Sequence, residues 1–188
     1  MNCRGLAITL NEIYLSLGFV SRYVTCLPRD TTDSDCHVID VIFLSSLNKW
    51  VWMDPTFEAY VTDEKGGLLG PSEVRERLIR NERLLLNPDA NWNRETSQTA
   101  QGYLRTYMAK NLYRLECPAR SEYNYETDWK ATRYVCLAPV EFNPRIPSII
   151  ERAQRDRRRG EVTYTNNAVA FWEAPAVQSA GSPESRSR

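Results

Sequence analysis

The run HVIDVIFL, the four residues SSLN and the run KWVWMD constrain this chain more than any other stretch. Both runs are rich in β-branched and aromatic residues, and the polar SSLN between them reads as a hairpin loop. A four-residue loop fixes the register. It sets Leu44 opposite Lys49, Val41 opposite Trp52 and Ile39 opposite Asp54. Opposed residues share a sheet face, as do residues two apart along one strand. His37, the only histidine, therefore lies on the face of Asp54 as its diagonal neighbour, about 7–8 Å away at the backbone. An imidazole and a carboxylate span that gap.

Upstream, Asn2 is a good helix N-cap, and Leu6, Leu10, Ile13, Tyr14 and Leu17 recur at helical spacing before Gly18. This predicts a helix from about Cys3 to Leu17 with Cys3 in its first turn. FVSRYVTC alternates like a strand, and RDTTDSD is a polar loop. Downstream, FEAYVTDEKGGLL reads as a strand with a glycine turn, and Pro71 opens a helix to about Arg80. NPDANWN is a loop, Gln98 to Leu115 reads as a longer helix, and Tyr134 to Leu137 as a strand. ERAQRDRRRG is a charged helix or loop, VTYTNNAVAFW docks as a strand, and the tail from about Val177 has a disordered composition.

Cys3 at a helix start and His37 facing Asp54 form the arrangement that thiol chemistry needs. The thiolate is the nucleophile, and both a helix N-terminus and a nearby imidazolium favour it. The histidine moves the proton during acyl transfer, and the aspartate fixes the other ring nitrogen. Backbone N–H groups at the helix start, that of Cys3 included, can hold a developing oxyanion. The bland alternative is a structural histidine and an ordinary cysteine near a helix start.

NCRGLAITL, LGFVSRYVTCLP, DCHVIDVIF and KWVWMDPT resemble the core of the transglutaminase-like superfamily of papain-type cysteine enzymes. In that family a Cys on a helix, a His on a strand and an Asp on the next strand follow in order, the Asp usually before a proline. The matching positions are Cys3, His37 and Asp54, and the resemblance extends through NPDANWN. It implies an α+β fold with a papain-like or transglutaminase-like core. A nucleophile helix would pack on an antiparallel sheet, followed by a C-terminal helical extension. It also implies an amide or peptide substrate, opened through a thioester without cofactor or metal. Family members carry helical sequence before the nucleophile, often with an oxyanion-hole residue. Only Met1 and Asn2 precede Cys3, so the core is expected to be truncated at its N-terminus.

The expected organisation is a catalytic core over residues 1–95, a helix and strand over 96–139 that complete or extend it, and a charged extension over 140–188. Trp50 and Trp52 share the face of Asp54, and Arg22 stands where the family also tends to carry arginine. These three are the candidate substrate-binding residues, with core packing and a half-buried ion pair as the structural alternatives. Cys36 alternates to the face opposite His37, which disfavours it as the nucleophile. Cys26, Cys117 and Cys136 read as small buried hydrophobes.

The sequence has 24 basic and 24 acidic residues, so no global charge draws it to nucleic acid. The five arginines between Arg152 and Arg159 are interrupted by an acid and read as a solvated helix. No apolar run reaches the roughly 18 residues of a membrane span. One histidine and no CxxC pair leave no usual zinc set. Nothing fixes the oligomeric state. With no export signal the chain as it stands reads as cytoplasmic, or as secreted or periplasmic if its start is truncated. The sequence therefore points to a cysteine peptidase or amidase. The alternative is an inactive module of the same fold that holds a peptide or glycan in an aromatic cleft.

Overall fold

Asn2 caps the first helix, α1 (Cys3–Ser16), by accepting the backbone N–H of Gly5 at 2.9 Å. This is a computed structural model, and it describes residues 2–127, 132–155 and 160–174. Gly18, at φ +82°, follows the helix end in the left-handed conformation that glycine adopts most easily. The face that α1 buries is not the leucine stripe. Ala7 and Asn11 are buried and Cys3 half-buried, while Ile13 and Leu17 are exposed. Cys3, Ala7 and Asn11 lie four residues apart on one side of the helix. Small side chains there let α1 approach the sheet closely.

Next come β1 (Ser21–Leu27), β2 (His37–Leu44) and β3 (Lys49–Met53). The β2–β3 hairpin has the register that its four-residue loop dictates, from Leu44 opposite Lys49 to Asp40 opposite Met53. Asn48 turns the loop at φ +50°. Beyond Met53 the chain leaves the ladder. Asp54 bridges to Ala59, and β4 (Val61–Thr62) follows. Helix α2 (Pro71–Ile79) starts with proline at its first position, and the Glu73 side chain accepts the Gly70 N–H at 2.8 Å. The short strands β5 (Leu85–Leu86), β6 (Asn91–Trp92) and β7 (Thr96–Ser97) form two small ladders, β4 with β5 and β6 with β7.

The predicted helix over 98–115 is a correction. A π-wound helix, Gln101–Met108, continues into α3 (Ala109–Asn111), and Arg114–Pro118 is β8. Arg114, Leu115 and Glu116 pair with Leu27, Cys26 and Thr25 of β1, and this long-range pairing overrides the local helical spacing. β9 (Arg133–Leu137), α4 (Pro147–Arg155), β10 (Glu161–Thr165) and α5 (Ala168–Phe171) complete the described chain.

The main sheet runs β10-β9-β8-β1-β2-β3, antiparallel throughout except for the parallel β9–β10 pair. The fold is therefore α+β. Val24, Cys26, Ile39, Val41, Trp50 and Trp52 form one sheet face and pack against Tyr103, Leu104 and Met108 of the π-wound helix. On the other face Tyr23, Val38 and Tyr134 pack against Ala7 of α1. Residues 161–171, within the span expected as an extension, supply the edge strand β10 and the buried Phe171. The arginine run's side chains and the tail from Val177 lie outside the described residues. Among the described residues no helix is long and apolar enough to cross a membrane.

Candidate active site

His37 opens β2 and Asp54 follows β3, so the hairpin register sets them side by side. Imidazole Nε2 and Asp54 Oδ2 are 2.6 Å apart, and both residues are 2% exposed. The carboxylate is held by more than the histidine. Its Oδ1 accepts the backbone N–H groups of Thr56 (2.8 Å) and Phe57 (3.2 Å) in the turn after Pro55. Its Oδ2 also accepts the Tyr103 hydroxyl at 2.5 Å. A buried carboxylate needs such partners, since an unpaired charge in the interior is costly.

Tyr103, within the segment that reads as a helix from Gln98, is a site residue that the sequence does not single out. Its oxygen accepts the Trp52 indole N–H at 3.1 Å while its proton goes to Asp54. Burial, with the charge of Asp54 beside it, pushes the phenol well above its ordinary value, so it stays protonated and donating. The π winding aims Tyr103 at Asp54 and places Tyr107 edge-on to the His37 ring, with centroids 5.5 Å apart. Phe57 flanks the same ring at 5.3 Å. The only sequence signal for Tyr103 was a tyrosine in an apolar stripe, which periodicity cannot tell from packing.

Cys3 stands by the other side of the ring. With Nε2 taken by Asp54, the ring has Nδ1 left to offer, and His37 acts on the Cys3 thiol more strongly than any other group. β3 stops pairing at Met53, so the start of β2 has no neighbouring strand on that side. The backbone N–H groups of Val38 and Arg4 both turn to the sulfur there. With the two N–H groups, His37 outweighs half-burial and lowers the pKa of Cys3. Burial alone would lower His37, but the charge and hydrogen bond of Asp54 override it and raise the imidazole to about 9. Other thiols go the opposite way. Burial raises Cys26 well above the usual range and Cys117 to about 11. Cys26, Cys117 and Cys136 are all buried.

Of the three candidate substrate-binding residues, Trp52 backs the site through Tyr103, while Trp50 and Arg22 meet the segment 171–173. Trp52 is fully buried and Trp50 is 6% exposed beneath the C-terminal segment, so neither walls an open cleft. The Trp50 indole N–H donates to the Glu173 carbonyl at 3.2 Å. Arg22 makes no ion pair among the described residues. Its guanidinium lies 4.4 Å from the Trp50 ring centroid, 5.2 Å from that of Phe171 and 5.3 Å from that of Trp172. It donates to the Phe171 carbonyl at 2.6 Å. Arg22 thus clasps the chain's later segment to the sheet through cation–π contacts. Among the described residues no group of three or more His, Cys, Asp and Glu is arranged to hold a metal ion.

Comparison of the chain with family models, with curated proteins and with solved structures finds no match.

Proposed function

We propose that this chain is a transglutaminase-like cysteine enzyme that opens an amide or peptide bond through a thioester on Cys3. The observation that carries this reading is the hydrogen-bonded chain Tyr103–Asp54–His37, which holds the imidazole beside Cys3 as the main influence on its thiol. His37 takes the Cys3 proton, and the sulfur attacks the acyl carbon. The tetrahedral oxyanion collapses to a thioester as His37 protonates the leaving amine. Water then attacks the thioester, with His37 as its base, and Cys3 is regenerated. Asp54 steadies the imidazolium in both halves and does not itself take up the proton. The order of elements supports the papain-like reading too, with the nucleophile at a helix start and His and Asp on successive parts of an antiparallel sheet. Hydrolysis is preferred over transfer because nothing in the sequence marks an amine-acceptor site. The binding-module alternative needs an aromatic cleft, and the burial of Trp50 and Trp52 does not support one.

Intact-mass spectrometry after exposure to an activated acyl ester tests this reading. The expected result is a single adduct on Cys3, released by hydroxylamine and absent from Cys3→Ala and His37→Ala. Acylation spread over several cysteines, or none, contradicts it.

A further inference from the structure

Glu126 lies in the loop after β8, and one of its oxygens, Oε1, accepts three donors. These are Arg4 Nη2, the Tyr134 hydroxyl and, at 2.7 Å, the Tyr23 hydroxyl. Arg4 is the residue after the candidate nucleophile. Its guanidinium also reaches Thr25 Oγ1 at 3.4 Å and the Tyr134 hydroxyl at 3.3 Å, and lies 5.3 Å from the Tyr23 ring centroid. The first turn of α1 is thus tied to β1, to β9 and to the 121–127 loop at once. The same loop meets α1 a second time, where the Asn124 N–H donates to Glu12 at 2.9 Å. Asn124 stands at φ +54°, which turns the loop onto the helix.

We propose that Arg4 and Glu126 are positioning residues for Cys3, clamping the helix start so that its sulfur meets His37 and the Val38 N–H; this rests on the acyl-transfer reading above. A helix end is the part of a helix most prone to fray, and its first N–H groups have no partner within the helix. The Arg4 N–H is one of the two that turn to the sulfur. Its side chain is the one that Glu126 holds, so the clamp acts on the residue that stabilises the thiolate. An exposed ion pair adds little to stability. This one is half-buried, and the two tyrosines share the same carboxylate oxygen. What it fixes is geometry: a misplacement of about 1 Å at a reacting centre can cost about 100-fold in rate.

The test is the pH profile of Cys3 alkylation by iodoacetamide, read by peptide mass spectrometry, for wild type, Glu126→Ala, Glu126→Gln and Arg4→Met/Glu126→Ala. With the clamp lost, Glu126→Ala should alkylate Cys3 about 10-fold more slowly than wild type at pH 6, with its inflection moved up toward about 8.5, and within about 2-fold of it at pH 10. Glu126→Gln keeps an acceptor oxygen and should recover most of the pH 6 rate. The double variant should be no slower than Glu126→Ala, since Arg4 and Glu126 act as one unit. An unchanged Glu126→Ala profile, even with a lower melting temperature, overturns the proposal and leaves the acyl-transfer reading standing. A wild-type Cys3 no faster at pH 6 than a model thiol overturns both.

Discussion

Tyr103 and His37 meet at one atom, Oδ2 of Asp54: the phenol at 2.5 Å and the imidazole at 2.6 Å. The shared oxygen links the π-wound helix to the β2–β3 hairpin, and it makes the tyrosine part of the site. Tyr103→Phe removes a donor to Asp54 and leaves the buried Trp52 indole N–H without its acceptor. Leaving a buried polar group unsatisfied costs about 1–3 kcal/mol, so the urea midpoint should fall accordingly. An unchanged midpoint would mean that the link carries no weight.

The hairpin half of this site was legible in the sequence, because side-chain alternation has a period of two and the SSLN loop length leaves one register. The start of α1 was legible from Asn2. The bond from Tyr103 to Asp54, the clasp at Arg22 and the strand at Arg114–Pro118 were not. Each depends on pairing between residues far apart in the chain: Tyr103 with Asp54, Arg22 with Phe171, and Leu115 with Cys26. Local pattern holds no record of such partners. The leucine stripe of α1 misled for a related reason. Which face a helix buries is set by what it packs on, and here the sheet accepts the small residues Cys3 and Ala7.

Stability should depend on pH through His37. Its folded value, about 9, stands above the ordinary 6.5. A group raised on folding contributes its stability in full below the unfolded value and loses it as pH rises through the folded one. Unfolding free energy should therefore fall between about pH 6.5 and 9, by no more than about 3 kcal/mol. Urea titrations across that range on wild type and His37→Gln check this; parallel curves for the two would refute it.

Asp40 acts in the opposite sense to a paired carboxylate. It is fully buried and accepts one N–H, from Val41, while its other oxygen has no partner among the described residues. Burial pushes it well above its ordinary value, so the fold favours the protonated acid. The penalty is absent below the unfolded value near 4 and grows as pH rises above it. Asp40→Asn should gain stability relative to wild type between pH 5 and pH 8. Denaturation at the two pH values measures the difference, and a constant gap would argue against a neutral Asp40.

Gly70 joins β3 to α2 at close quarters. A Cβ there would lie 2.4 Å from the backbone oxygen of Trp50. Gly70→Ala must push the helix start off the strand, and overpacking of this kind costs about 1–3 kcal/mol. Thermal unfolding should show a clear loss, and a neutral result would show that the contact yields freely.

The central claim is that Cys3 is an activated thiol, and thiolate absorbance near 240 nm, titrated on wild type and subtracted by Cys3→Ser, tests it most directly. A one-thiol step with its midpoint below the ordinary cysteine value of about 8.5 is expected, and its loss on His37→Ala. A step at or above that value, unmoved by His37→Ala, would contradict it.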